Sequence, residues 1–153
     1  MFVLLRQLAA VRRRSRLPRA PGSLALRHVD AGSCNGCEHE LGAVSNPFYD
    51  LQRYGLDVVA SPRHADVLLV TGAVTTRMAV ALRTAYDAMP EPRLVAALGD
   101  CALGCNVLGD RAELVGALEV VLPVDIRIPG CPPAPQVIAE HLREAIAATA
   151  RTR

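Results

Sequence analysis

Two nearly unbroken apolar runs, Val67–Thr71 and Leu94–Leu98, constrain this chain more than any other feature. A strand with one face in water alternates apolar and polar residues, whereas a run that is apolar throughout suits a strand covered on both faces, as in the parallel sheets of α/β proteins. Runs at Ala25–Val29, Asp57–Ala60 and Val124–Ile128 complete five predicted strands. Helical patterns intervene at Glu38–Val44, Thr76–Met89, Ala112–Val121 and Gln136–Ala148. In the last of these, Val137, Ile138, Leu142, Ala145 and Ile146 recur at spacings of three and four and form one apolar face. Ser45–Gly55 has weak periodicity and reads as a loop with a short helix. Strands alternating with helices predict an α/β fold, a doubly wound parallel sheet in a single domain. The 153 residues suffice for one such core, and with aromatics at 3% it must be filled by Ala, Val and Leu. The same scarcity argues against nucleic-acid binding through base stacking.

The net charge of +2 combines two unlike parts. All seventeen basic residues are arginine, and Arg6, Arg12, Arg13, Arg14, Arg16, Arg19 and Arg27 precede the first acid, Asp30. Beyond them, ten arginines face fifteen acids. Residues 1–23 therefore read as a basic N-terminal arm and residues 24–150 as the folded domain. Phe2–Val11 is too short to span a bilayer and is interrupted by Arg6. Its order, apolar before basic, is the reverse of a secretory signal. The arm reads as a solvated tail or as an amphipathic segment that docks on a membrane face or a partner subunit.

The five cysteines follow the pattern C-x2-C-x63-C-x3-C-x25-C, starting at Cys34. In an α/β chain without an export signal, metal or redox use is a stronger reading than a disulfide framework. Cys34 and Cys37 follow the first predicted strand, Cys101 the fourth and Cys131 the fifth. In the flavodoxin-like topology expected here, those loops leave the carboxyl edge of the sheet, where open α/β sheets hold their ligands. Thiolates arriving from three loops can enclose a cuboidal iron-sulfur cluster, which takes one cysteine per iron. Gly32, Gly36, Gly99, Gly104 and Gly130 let the backbone approach such a centre and turn N–H groups toward sulfur, while Pro132 and Pro133 stiffen the loop after Cys131. A CxxC pair by itself equally describes a structural zinc site or a redox pair, and Cys101 or Cys105 alone reads as a small buried hydrophobe. The alternative from another class is thus a zinc-stabilised or inactive scaffold module. An FMN site is disfavoured, because cysteine stands in the first strand-to-helix loop where a phosphate-binding loop would carry Ser and Thr with Gly.

DAGSCNGCEHE at 30–40, SPRHADVLLVTGAVT at 61–75, GDCA at 99–102 and VDIRIPGCPP at 124–133 resemble the small, cluster-bearing subunit of energy-converting membrane-bound NiFe hydrogenases and formate hydrogenlyases. The same family includes the 20-kDa-type subunit of respiratory complex I, the NADH-quinone oxidoreductase. The resemblance covers residues 24–146. It implies one 4Fe-4S cluster on Cys34, Cys37, Cys101 and Cys131, and an electron-transfer role without bond chemistry of its own. It implies as partners a hydrogenase-type large subunit, a ferredoxin-like iron-sulfur subunit and membrane subunits, at the cytoplasmic face of the cell membrane. Complex I subunits carry two adjacent cysteines at the first motif, whereas Asn35 and Gly36 separate the pair here, as in the hydrogenase branch. The stretch after Cys101 also lacks the aromatics of the complex I branch, which leaves quinone reduction as the alternative. Cys105 stands where both branches usually have glycine and is read as inert, with a redox-sensitive thiol or a replacement ligand for Cys101 as the alternatives. Arg63 and His64 are expected either beside the cluster, where positive charge would favour its reduced state, or in an ordinary ion pair with Asp66 or a partner. Glu38 and Glu40 are read as helix N-terminal acids, with a protonatable role as the alternative, and His28, His39 and His141 as surface or packing residues.

Overall fold

The computed structural model describes residues 22–105 and 112–151. In chain order its elements are β1 (Leu24–Asp30), α1 (Gly36–Val44), β2 (Leu56–Val58), β3 (Val67–Thr71), β4 (Val74–Thr75), α2 (Thr76–Asp87), β5 (Leu94–Leu98), β6 (Leu114–Gly116), β7 (Ile126–Ile128) and α3 (Pro135–Arg151). One-turn 3-10 helices occupy Leu51–Tyr54, Pro62–His64 and Leu118–Val120. Five strands pair in parallel in the order β2-β1-β3-β5-β7. Counted within that sheet alone the order is 2-1-3-4-5, the flavodoxin-like arrangement, which changes direction between β1 and β3.

The apolar runs divide between two cores because successive strand residues point to opposite faces. Leu26, Leu69, Ala96, Leu98 and Ile128 pack with Leu41 and Val44 of α1 and with Ile138 and Leu142 of α3. Leu68, Val70, Val95 and Ala97 pack on the other face with Leu82 of α2 and with Met89, Leu118 and Leu122. Each fully buried leucine contributes about 1.5–3 kcal/mol relative to exposure. A polar residue in β3 or β5 would be trapped in one core or the other, and the exception, Thr71 at the carboxyl end of β3, is hydrogen-bonded there.

The structure departs from the sequence expectations at a few places. Ala112–Val121 is not a helix: Leu114–Gly116 pairs antiparallel with β4, and Leu118–Val120 forms a single 3-10 turn. Leu114, Leu118 and Leu122 mimic a helical spacing, but Gly116 sits at φ +111° and breaks the run, while Leu118 and Leu122 turn into the second core. The strand expected at Asp57–Ala60 begins one residue earlier, at the buried Leu56, and that expected at Val124–Ile128 begins at Ile126. The Asp125 carboxylate accepts the N–H of Val95 at 2.8 Å and caps the amino end of β5 instead. The basic arm, through residue 21, lies outside the described residues.

Candidate metal centre

The carboxyl edge of the sheet is built by three loops, following β1, β5 and β7. After β1, the Asp30 carboxylate accepts the N–H groups of Gly32 and Ser33, both at 2.8 Å, and folds the segment that presents Cys34. Asn35 adopts a left-handed conformation (φ 69°) and starts α1, so Cys37 lies in the first helical turn. Leu41 and Val44, one turn further on, fix that helix against the first core. After β5, Gly99 at φ +90° turns the chain into a short loop through Cys101 and Cys105. After β7, Gly130 at φ +133° leads into Cys131 and the two prolines.

These loops bring the expected thiols together. Burial, then Glu38, then Cys101, Cys34 and Cys131 push the Cys37 thiol up to about 12. Burial and the neighbouring Cys131 and Cys34 likewise push Cys101 up, with smaller effects from Asp100 and Cys105. At Cys37 and Cys101 the neighbouring thiols oppose ionisation, so these two favour the thiolate only when a positive centre compensates them. Cys34, Cys105 and Cys131 are exposed at the rim, and Cys37 and Cys101 lie half-buried below it. A Cβ on Gly99 would stand 2.5 Å from the Cys37 sulfur, so glycine is what permits this approach. Among the described residues, no three His, Cys, Asp or Glu side chains converge tightly enough to hold a single metal ion. A mononuclear zinc site requires its sulfurs about 2.3 Å from one point. A cuboidal cluster takes one thiolate at each iron.

Other expected residues fall elsewhere. Arg63 and His64 occupy the exposed turn before β3, at the amino edge of the sheet. A five-residue strand, roughly 16 Å long, separates that edge from the thiols, so the expected placement beside the cluster is corrected. His28 is not a simple packing residue: its Nε2 lies 2.9 Å from Thr71 Oγ1, which donates in turn to Glu38 Oε1. Burial lowers the His28 pKa, outweighing the nearby Glu38 and Asp30 carboxylates that raise it. This link joins β1, β3 and the first turn of α1 directly beside Cys37. Sequence spacing could not reveal it, because its three members lie on three separate elements. The His141 Nδ1–H donates within α3 to the Val137 carbonyl at 2.8 Å, which fits the packing reading. A groove of about 450 Å³ between β7 and α3 is lined by Leu94, Ile126 and Ala145 and contains no cysteine.

The sequence profile of the NADH ubiquinone oxidoreductase 20 Kd subunit matches residues 34–145. The chain is 44% identical over 111 residues to the probable membrane-bound hydrogenase subunit mbhJ of Pyrococcus furiosus, covering 72% of this chain and 66% of that protein. It is 41% identical over 121 residues to formate hydrogenlyase subunit 7 of Escherichia coli, covering 79% of this chain and 48% of that protein. The chain therefore spans about two thirds and about half of the lengths of these two relatives. A chain of an archaeal membrane-bound sulfane sulfur reductase superposes with a TM-score of 0.74 at 28% identity, covering 86% of this chain and 72% of that one. An NAD+-reducing [NiFe]-hydrogenase chain superposes with a TM-score of 0.66 at 18% identity, over 82% of this chain and 92% of that one, and so shares the fold. With its cysteine-bearing loops inside the matched region, the chain belongs to the family of the 20-kDa subunit of NADH ubiquinone oxidoreductase, alongside subunits of hydrogenase and formate hydrogenlyase complexes.

Proposed function

We propose that Cys34, Cys37, Cys101 and Cys131 hold one 4Fe-4S cluster and that the chain relays electrons within a membrane-associated hydrogenase or formate hydrogenlyase-type complex. The observation that carries this reading is the gathering of these thiols within electrostatic reach at one edge of the sheet. When bound, the cluster supplies a one-electron carrier whose potential follows from sulfur hydrogen bonds, nearby charge and burial. The chain's own residues hold and shield it: Cys37 and Cys101 from below, Cys34 and Cys131 from the rim, with Gly99 allowing close approach. A hydrogenase-type large subunit would cover the exposed rim, and a ferredoxin-like subunit would exchange electrons with it. Among the described residues no helix is long and apolar enough to cross a membrane. Attachment at the cytoplasmic face would run through membrane subunits or the basic arm.

The family match also favours a second reading, the 20-kDa-type subunit of an NADH-quinone oxidoreductase-like complex that passes electrons to quinone. The separated Cys34 and Cys37 and the match to hydrogenase subunits favour the first. The test is anaerobic purification of the full chain with its partners. The wild-type assembly is expected to hold about four irons more than Cys37→Ser or Cys101→Ser assemblies and to show an EPR signal on reduction that both variants lack. Unchanged iron in both variants, with stoichiometric zinc on the chain, would overturn the reading. A co-purifying large subunit with two CxxC pairs for nickel and iron would select the hydrogenase branch, and one without them the quinone branch.

A further inference from the structure

We propose that Asp100 is a positioning residue that clasps the Cys101 turn to the Cys131 loop and thereby sets the separation of these two thiols. The proposal rests on the cluster reading above and deepens it. Strands β5 and β7 pair through Leu98 and Ile128, and the N–H of Gly99 still donates to the Ile128 carbonyl at 2.8 Å. Past that point both chains turn at glycines in the left-handed half of conformational space, so the regular ladder ends. Two bonds bridge the gap. The Asp100 N–H donates to the Gly130 carbonyl at 2.9 Å, and the Gly130 N–H donates to Asp100 Oδ1 at 2.7 Å. One residue thus satisfies both backbone groups of Gly130, and each thiol lies one residue beyond the clasp.

The surroundings leave little room for a substitute. Where a Cβ on Gly130 would stand, Pro133 atoms lie at 2.6–2.9 Å, so this loop is folded tightly back on itself. The Asp100 carbonyl also accepts the N–H of Cys105 at 2.9 Å, while the Gly104 N–H donates to the Cys101 carbonyl at 3.2 Å, which closes the turn on its own side. Asp30 provides the contrast. Among the described residues its carboxylate serves Gly32 and Ser33 within a single loop.

Removing the acceptor leaves the partly buried Gly130 N–H unsatisfied, whereas asparagine keeps a carbonyl oxygen in the same place and removes only the charge. The full chain, purified anaerobically in its native assembly as wild type, Asp100→Ala and Asp100→Asn, is challenged with an iron chelator. Cluster loss is followed by the visible absorption in excess of a Cys101→Ser assembly, and the reduced state by the EPR signal that assembly lacks. Asp100→Ala is expected to lose iron about tenfold faster with an altered EPR line shape, and Asp100→Asn to stay within about twofold of wild type. Wild-type rates for the Ala variant, or equally fast loss from the Asn variant, would overturn the clasp. Should Asp100→Ala fail to accumulate, Asp100→Leu, similar in size and without an acceptor, takes its place under the same criteria. A wild-type assembly with no more iron than Cys101→Ser would instead sink the cluster reading itself, which keeps the two failures apart.

Discussion

Replacing Gly99 by alanine tests the geometry of the thiol site from two sides. The new Cβ would stand 2.5 Å from the Cys37 sulfur, well inside van der Waals contact, at a backbone φ of +90° that side-chain-bearing residues rarely adopt. The left-handed conformation alone costs about 1–2 kcal/mol. If Cys37 stays in place, overpacking adds about 1–3 kcal/mol. If the thiol rotates away, that second cost is relieved, but the sulfur leaves the other three. The variant should therefore lose either stability or iron, and never neither. A loss of about 1–5 kcal/mol corresponds to a fall of roughly 3–15 °C in melting temperature for a domain of this size. Gly42→Ala is the control, because nothing lies within 4 Å of its Cβ position in α1. There alanine should stabilise by about 0.5–1 kcal/mol, since glycine carries the larger backbone entropy in the unfolded chain. Thermal melts and iron content measured on both variants decide the matter: a Gly99→Ala protein with unchanged melting temperature and full iron would refute the close approach of Gly99 to Cys37.

Cys105→Ser should leave iron at the wild-type level, because Cys105 is the smallest of the named influences on Cys101; a loss of iron measured by elemental analysis would show that the ligand set was wrongly chosen. His28 titrates below its ordinary value of about 6.5, so the native state binds its proton less tightly than the unfolded chain. Its contribution to stability is therefore whole above about pH 6.5 and declines as pH drops through that value, levelling once the folded His28 is itself protonated. His28→Gln should flatten this acid limb in melts taken from about pH 5 to 8, and an unchanged slope would exclude His28 as its source.

The layered architecture was legible because it depends on periodicity, which is local. Val67–Thr71 and Leu94–Leu98 could be read as strands buried on both faces, and Val137 through Ile146 as one helix face, since each pattern is complete within its own segment. The same rule failed at Ala112–Val121, where leucines spaced four apart serve a short antiparallel strand and a turn. There the pairing partner, β4, lies some forty residues earlier in the chain, and Gly116 interrupts the spacing at a single point.

The cysteine pattern and its glycine and proline neighbours determined, without coordinates, that thiols follow three strands and that their chemistry is the place to look for function. Strand order alone carried that inference, because the residues after parallel strands all emerge at one edge. Tertiary structure decided what faces what across that edge. It placed Arg63 and His64 at the far end of the sheet, linked His28 through Thr71 to Glu38, and joined Asp100 to Gly130. The division has a physical cause: burial periodicity is written along one segment, whereas a hydrogen bond between loops thirty or more residues apart exists only once the sheet has aligned their backbones.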